Sequence, residues 1–305
     1  MSPGDDRAPI VGINWGSSNF RAYLIARDGA LLDHHAEPSG VVGLDREGMA
    51  ALVAAVARRW PDAAARYASG MIGSNVGWIE VPYAEAPAGR AELARLAVPA
   101  TIGDIPIVIV PGIACRHTLD DAPDVLRGEE TEILGSAPAA GEATIVLPGT
   151  HAKWTRVADG RVVEFVTSMS GEIFDRLTTQ GLLASVTEGA GAADDAFFQG
   201  VDIARARRMG LGSLLFGARA RVVRGAMAKS DAASYVRGLL IGSEIADAQA
   251  AFPGFGDATV TLVGNGPLSR LYAAALESVG VASTSIDSQD ACLRGFLALH
   301  EALDG

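Results

Sequence analysis

The sequence predicts an α/β fold built from two similar domains, and three observations lead to this prediction. Residues 13–33 read as strand, glycine turn, strand, Asp-Gly turn and strand, and residues 144–169 repeat this order. The glycine turns at Gly16 and Gly149 lie 133 positions apart, and the Asp-Gly turns lie 131 positions apart. Strands and helices then alternate through each half, which is typical of α/β proteins. Two unrelated β-hairpins would also explain the repeat, since Asp-Gly turns are common.

The first glycine turn, residues 16–19, lies between two apolar strands, and no helix follows it. Phosphate loops of the Walker and dinucleotide types need a helix N-terminus directly after the loop. Here backbone N–H groups and the hydroxyls of Ser17 and Ser18 would hold phosphate at a strand-to-strand turn. This geometry resembles the way in which actin-like phosphotransferases bind a nucleotide.

Apolar spacing defines the other elements of the first half. Residues 45–60 carry Met49, Leu52 and Val53 on one helical face, and Pro61 closes that helix. The remaining expected elements are strands over 67–72 and 107–110, loops around a short helix over 80–105, an acidic loop over 120–124 and a helix over 127–136.

The second half opens with a strand over 143–147. The expected helices cover 171–185, 194–208, 211–223, 232–252, 268–279 and 291–303, and further strands cover 258–263 and 282–286. The segment Ala-Pro-Ala-Ala-Gly at 137–141 interrupts the pattern. We therefore expect domains over 1–138 and 139–305, with the last helix able to pack back on the first domain.

Composition points to a globular protein with a substantial core. Hydrophobic residues make up 49% of the 305 residues, and the net charge of −11 argues against a surface that binds nucleic acid. Two distant cysteines make a disulfide framework or a zinc site improbable and fit a reducing cytoplasm. The segment MSPGDDRAP lacks the apolar stretch of a signal peptide, and no apolar run reaches the length of a membrane span. The sequence does not predict an oligomeric state.

Two further glycine turns follow strands, at Gly149-Thr150 and at Gly264-Asn265-Gly266. The second of these enters a helix, so it could be an ordinary tight turn of an α/β unit. As the last of three such turns it also suits the adenosine end of a nucleotide whose phosphates the first two turns hold.

Several long motifs resemble those of the 2-dehydro-3-deoxygalactonokinases, a family of sugar-acid kinases in the actin, Hsp70 and sugar-kinase superfamily. The matching strings are INWGSSNFRAYL (13–24), MIGSNVGW (71–78), IVPGI (109–113), LRGEETEILG (126–135), LPGTHAKW (147–154), MSGEIF (169–174), ADDAFFQG (193–200) and GLLIGSEIADA (238–248). The resemblance implies an actin-like (ribonuclease H-like) fold with a nucleotide cleft between its domains. It also implies phosphorylation by ATP, with Mg²⁺, of 2-dehydro-3-deoxy-galactonate on its terminal hydroxyl.

Within these motifs, Glu129 and Glu130 are the candidates for Mg²⁺ binding or for the general base, although a pair of surface glutamates is the usual explanation elsewhere. Adjacent helical residues point in different directions, so both are not expected to do the same work. Lys153 and His151 could contact the γ-phosphate or the substrate. Arg127 could bind the substrate carboxylate, or could simply pair with one of the two glutamates.

Further candidates for substrate binding are small polar groups, an indole and a carboxylate. Ser74 and Asn75 suit hydroxyl groups, and Trp78 would exclude water, although it could equally be a core aromatic. Glu172 could belong to the site or could cap the following helix.

Asn14 departs from the superfamily pattern, in which the first phosphate turn begins with an aspartate that serves the metal or the attacking group. Asparagine keeps one acceptor oxygen but has no charge and cannot act as a base. Asn14 remains a candidate for the catalytic site and, together with Glu129, for the metal site. Another carboxylate, with Glu129 or Glu130 the nearest by motif, would have to supply the charge that Asn14 lacks. Two alternatives stay open: a kinase for another 2-keto-3-deoxy sugar acid such as the gluconate epimer, and a non-catalytic nucleotide or sugar-acid sensor.

Overall fold

A computed structural model describes residues 8–304. Residues 1–7 lie outside the described residues. They form most of the N-terminal segment for which the sequence analysis expects no signal peptide. Within 8–304, no helix is both long enough and apolar enough to cross a membrane.

The described strands form three sheets. They are β1 (Ile10–Trp15), β2 (Phe20–Ile25), β3 (Leu31–Glu37), β4 (Ala65–Gly70), β5 (Ala84–Glu85), β6 (Val98–Ile102), β7 (Ile105–Ile109), β8 (Ile113–Arg116), β9 (Pro123–Leu126), β10 (Glu142–Leu147), β11 (Ala152–Ala158), β12 (Arg161–Ser168), β13 (Val260–Val263) and β14 (Ser283–Ile286).

The described α-helices cover these sheets and connect their strands. They are α1 (Arg46–Arg59), α2 (Arg90–Leu96), α3 (Glu130–Ser136), α4 (Ser170–Thr179), α5 (Asp195–Arg205), α6 (Leu211–Val223), α7 (Lys229–Ala251), α8 (Pro267–Ser278) and α9 (Ser288–Asp304).

The two large sheets repeat one topology. The first has the order β3-β2-β1-β4-β7-β6 and the second has the order β12-β11-β10-β13-β14. In both, the first three strands along the chain are antiparallel neighbours, a fourth strand pairs in parallel with the first, and a fifth pairs in parallel with the fourth. The first sheet has one further strand, β6, which pairs antiparallel with β7 at the edge. The repeated hairpins of the sequence are therefore corresponding parts of two similar halves.

Several segments differ from the sequence prediction, among them β8, which was not predicted. Residues 80–105 contain strand β6 and the start of β7 besides the expected short helix, so the expectation of loops was wrong there. Pro99 obscured β6, but the sheet tolerates a proline at this place because β6 is an edge strand. Residues 120–124 are only partly a loop, since Pro123 already begins β9.

The helices agree with the predicted ranges to within three residues at each end, apart from α4. That helix ends at Thr179 instead of continuing to 185, and Gly181 follows it with a φ of +91°. A residue with a positive φ cannot extend an α-helix, so the chain turns away at this point.

Helices α3 and α9 cross at unusually short range. A Cβ on Gly135 would lie 1.8 Å from the carbonyl oxygen of Ala291, and a Cβ on Gly295 would lie 1.8 Å from that of Thr131. Glycine at both positions lets the two backbones touch. Helix α9 also packs Phe296 against the first sheet. The domain boundary after residue 138 stays a prediction.

The small sheet β5-β8-β9 is fastened to the second half by two carboxylates. Asp124 accepts hydrogen bonds from the backbone N–H of Thr167 at 2.7 Å and from its hydroxyl at 2.8 Å. Glu164 accepts the same two bonds from Thr118, at 2.7 and 2.8 Å. These contacts hold the start of β9 and the loop before it against β12, and the loop that carries Arg127 begins directly after β9.

Glu244 is a carboxylate buried in the second half, on α7. Its oxygens accept hydrogen bonds from the indole N–H of Trp154 at 2.7 Å and from the hydroxyl of Tyr272 at 2.8 Å. Burial disfavours the charged form and raises the pKa of Glu244 to about 7 from its ordinary value of 4.5. The folded protein therefore holds this proton at a pH at which the unfolded chain has released it.

We expect the variant Glu244→Gln to change how stability depends on pH. Because the folded-state pKa is raised, the free energy of unfolding of the native chain falls as pH rises from about 5 to about 8. Glutamine does not titrate, so the free energy of unfolding of the variant should not fall in this way. Between pH 5 and pH 8 it should rise by about 2–3 kcal/mol relative to that of the native chain. Urea unfolding at pH 5 and at pH 8 measures this difference, and a difference that does not depend on pH would contradict the assignment.

Candidate active site

An ion pair joins the two halves. The Nζ atom of Lys153, in β11, lies 3.2 Å from Oε1 of Glu129, directly before α3. The lysine side chain is 6% exposed and the glutamate side chain is 29% exposed, so the pair is shielded but open to a ligand on the glutamate side. Lys153 also donates to the carbonyl of His151 at 3.2 Å.

A tight loop places Glu129 opposite Lys153. Gly128 has a φ of +110°, which favours glycine and turns the chain sharply between β9 and α3. The backbone N–H of Arg127 donates to Oε2 of Glu129 at 3.1 Å, and that of Gly128 donates to Glu130 at 2.6 Å. Both glutamates therefore stabilise the loop that carries them.

Burial separates the two adjacent glutamates. Glu130 is fully buried, and its Oε1 accepts a hydrogen bond from the hydroxyl of Ser69 at 2.5 Å. Burial raises the pKa of Glu130 to about 7. Glu129 contacts Lys153 across the cleft, whereas Glu130 is enclosed behind the loop. Of the two candidate carboxylates, only Glu129 is partly exposed and pairs with the other half of the chain.

Arg127 presents an incompletely paired guanidinium. Its Nη2 donates to the carbonyl of Val81 at 2.7 Å, and the group stacks on the ring of Tyr83 at 4.2 Å from its centroid. Its Nε and Nη1 atoms are buried and have no hydrogen-bond partner. The guanidinium does not pair with Glu129 or Glu130, which was the alternative for this residue. Buried N–H donors without partners are costly, so they favour a ligand that accepts hydrogen bonds.

The second glycine turn, residues 149–151, contacts the first turn of α4. Nε2 of His151 lies 2.8 Å from Oε2 of Glu172, and the backbone N–H of Glu172 donates to the carbonyl of Thr150 at 3.0 Å. The Glu172 side chain therefore pairs with His151 and does not cap the helix. Both side chains are partly exposed at the cleft.

Asn14 connects the first phosphate turn to the glutamate loop. Its Nδ2 donates to the carbonyl of Gly128 at 3.4 Å, which leaves its side-chain oxygen for another contact. The turn that follows is closed by a hydrogen bond from the N–H of Gly16 to the carbonyl of Asn19 at 2.9 Å. Ser17 and Ser18 are exposed in this turn.

The loop after β4 is ordered by its own contacts. The hydroxyl of Ser74 donates to the carbonyl of Met71 at 2.7 Å, and Asn75 is exposed. Trp78 donates from its indole N–H to the carbonyl of Thr101 at 3.1 Å, and the guanidinium of Arg46 stacks on its ring at 3.9 Å. These contacts fit the interpretation of Trp78 as a packed aromatic better than that of a substrate contact.

A cavity of about 610 Å³ lies directly after the third turn and is lined by residues of α8 from Pro267 onwards. Gly264 follows β13, the side-chain amide of Asn265 donates to Asp287 at 3.1 Å, and Gly266 precedes α8. Leu268 of α8 and Gly149 of the second glycine turn meet around a gap that is too small for a water molecule. The beginning of α8 therefore lies close to the second glycine turn.

Seven of the nineteen predicted site residues meet in one chain of contacts that joins the two halves. The connected residues are Asn14, Arg127, Glu129, Glu130, His151, Lys153 and Glu172. Ser74, Asn75 and Trp78 form no hydrogen bond or ion pair with this chain among the described residues. The sequence analysis assigned no role to Ser69, Tyr83 or Arg237.

Known proteins match almost the whole chain. The family model described as 2-keto-3-deoxy-galactonokinase matches residues 14–299. The chain is 31% identical over 300 residues to the 2-dehydro-3-deoxygalactonokinase of Escherichia coli (strain K12), covering 97% of this chain and 99% of that protein. It is 37% identical over 303 residues to DgoK1 of Rhizobium meliloti (strain 1021), a protein assigned to the same activity. This match covers 96% of this chain and 97% of that protein.

A crystal structure from Sinorhizobium meliloti, of a protein assigned to the same activity, is similar with a TM-score of 0.85 at 36% identity, covering 96% of this chain and 97% of that one. Component A of (R)-2-hydroxyglutaryl-CoA dehydratase from Acidaminococcus fermentans has a TM-score of 0.53 at 13% identity, covering 97% and 99%, and shares the fold alone. Together with the strand order that the two sheets share over five strands, these similarities confirm the predicted actin-like α/β fold of two similar halves.

Proposed function

The chain belongs to the 2-keto-3-deoxy-galactonokinase family, and from this premise we propose that it transfers the γ-phosphoryl group of ATP to the 6-hydroxyl of 2-dehydro-3-deoxy-D-galactonate. The product is 2-dehydro-3-deoxy-6-phospho-D-galactonate, an intermediate of galactonate breakdown. The observation that carries the proposal is the Glu129–Lys153 pair across the cleft, beside the incompletely paired Arg127. We place the reaction in the cytoplasm, where the free thiols of Cys115 and Cys292 stay reduced.

In this proposal Glu129 is the general base. The 6-hydroxyl oxygen attacks the γ-phosphorus while its proton passes to the Glu129 carboxylate, and the bond between phosphorus and the bridging oxygen of ADP breaks. Little covalent chemistry falls to the protein in such a transfer, so positioning and charge stabilisation dominate.

Lys153 supplies the charge stabilisation. Its ammonium group pairs with Glu129 before the nucleotide binds, and it stands next to the second phosphate turn. A buried cation interacts strongly with the negative charge on the transferring phosphoryl group, because little water screens it. His151 and Glu172 flank this turn at the entrance of the cleft.

The site suits a Mg²⁺ ion that arrives with the nucleotide. Within residues 8–304 no three His, Cys, Asp or Glu side chains form a metal cluster. Magnesium does not need one, since it binds through one or two carboxylates, substrate phosphates and water. The Glu129 carboxylate and the side-chain oxygen of Asn14 have the right chemistry to hold it. When bound, Mg²⁺ would neutralise charge on the phosphates.

The three turns would hold the nucleotide in order. Residues 16–19 and 149–151 would bind the phosphates with backbone N–H groups and hydroxyls, and residues 264–266 would bind the adenosine end. The proximity of Gly149 to Leu268, which lies two residues after the third turn, supports this order.

We expect Arg127→Met to raise KM for the sugar acid about 100-fold with little change in KM for ATP. A charge-assisted pair between guanidinium and carboxylate contributes roughly 1.5–3 kcal/mol, and methionine keeps the apolar stem but removes every donor. Steady-state kinetics with each substrate varied in turn measure both constants. The matched control is Arg116→Met, which removes an exposed arginine from β8 of the same small sheet. An equal rise in both KM values would contradict the carboxylate assignment.

The preferred epimer is a further question within this proposal. The galactonate and gluconate forms differ in one hydroxyl configuration, which few side chains read. Competition between the two epimers in one assay measures the ratio of their kcat/KM values. The comparisons give no support to the alternative of a non-catalytic sensor.

A further inference from the structure

The cavity beside the third turn has apolar walls and two cations. Backbone and small side chains of residues 190–193 form one wall, and Leu268 and Leu271 of α8 form another. The charged side chains that line it are Arg237 and Arg270. Among the described residues that line this cavity, none contributes a side-chain carboxylate or amide. Such a space suits a flat group with an apolar face.

Arg237 is held in a fixed orientation at the wall of this cavity. Its guanidinium carbon lies 3.3 Å from the centroid of the Phe174 ring, and its Nε donates to the carbonyl of Ala190 at 3.4 Å. Phe174 is buried, and it does not itself line the cavity. One side of the planar guanidinium is therefore covered by an aromatic ring, while the residue still borders the cavity.

The same arginine lies close to the second glycine turn. Arg237 and Leu268 line the larger cavity, and together with Gly149 and Ser170 they also surround a gap that is too small to hold a water molecule. A flat ring in the larger cavity would therefore lie near this turn, at which the proposed function places phosphates. A nucleoside triphosphate carries both groups.

We infer that Arg237 stacks its guanidinium on the nucleobase of the phosphate donor, with Phe174 packed beneath it. The inference rests on the proposed kinase function and adds a specificity-determining residue to it. Guanidinium planes stack well on aromatic faces, and they carry donors only. Stacking on the face of the base favours the larger purine ring over a pyrimidine. It depends only weakly on the hydrogen-bonding groups at the edge of the base.

Nucleotide binding in the absence of sugar acid tests this inference. Titration calorimetry gives Kd values for ADP and CDP, which carry the same diphosphate, so their ratio isolates the contribution of the base. We expect the native chain to bind ADP more tightly than CDP. Arg237→Met should weaken ADP binding roughly tenfold and CDP binding much less, because the stacking partner is lost.

Two further variants separate stacking from charge and from damage to the fold. Arg237→Lys keeps the charge but not the plane, so it should behave like the methionine variant. Arg208→Met removes an exposed arginine of the same half and should bind both nucleotides like the native chain. Thermal unfolding of each variant checks that it is folded.

Three results would overturn the inference: an equal loss for ADP and CDP in Arg237→Met, native affinity in Arg237→Lys, or no preference for ADP in the native chain. The first would indicate a phosphate contact and the second a simple effect of charge. These outcomes are distinct from failure of the proposed function. That failure would appear as normal ADP binding without phosphorylation of any sugar acid.

Discussion

Replacing Glu129 by glutamine is expected to lower kcat for sugar-acid phosphorylation by about 10²–10⁴-fold, the usual contribution of a general base. Glutamine keeps the shape of the side chain and one acceptor oxygen, but it cannot take the proton of the attacking hydroxyl. The substitution also removes one of the oxygens proposed for Mg²⁺. Initial rates at saturating ATP and sugar acid measure the loss.

The variant Glu130→Gln tests whether Glu129 or Glu130 is the general base. Glu130 is fully buried behind Ser69 and Gly128, so its replacement should lower kcat less than tenfold. Glu142→Gln, at an exposed glutamate at the start of β10, controls for the loss of a charge. A larger loss in Glu130→Gln than in Glu129→Gln would reverse the assignment of the base.

Replacing Lys153 by methionine is expected to lower kcat about 10²–10³-fold, similar to the loss of one preorganised donor to a transition-state charge. Methionine fills much of the same buried space, so the fold should survive. The effect should appear in kcat more than in KM for the sugar acid, because the lysine acts on the transferring group.

The chain has one other lysine, which gives a matched control. Lys229 is exposed at the start of α7, and Lys229→Met should have native kinetics. The double variant Glu129→Gln with Lys153→Met should lose less than the product of the single losses, because the two groups act as a pair. Strictly multiplicative losses would show that the ion pair across the cleft has no role in turnover.

Local patterns in the sequence predicted much of the fold. The two Asp-Gly turns and the glycine turns between strands identified both antiparallel hairpins, since these signals depend only on neighbouring residues. Strand β6 was missed because Pro99 is usually excluded from strands, and its edge position becomes known only when the sheet is assembled.

The candidate site was predictable as a set of motifs but not in its roles. Sequence alone could not separate Glu129 from Glu130, because Ser69 and Lys153, distant in the chain, determine which carboxylate is buried and which faces the cleft. It could not decide the partner of Arg127 either, which depends on the position of the Val81 carbonyl. Such facts arise from tertiary contacts, which no local pattern records.

Sugar-acid-dependent turnover of ATP by the native chain tests the central claim most directly. Purified protein is incubated with ATP, Mg²⁺ and 2-dehydro-3-deoxy-galactonate, ADP formation is followed over time, and phosphorus NMR locates the new phosphate ester. We expect ADP to form only when the sugar acid is present and the phosphate to lie on the 6-hydroxyl. The absence of turnover with this compound and with other 2-keto-3-deoxy sugar acids would contradict the account.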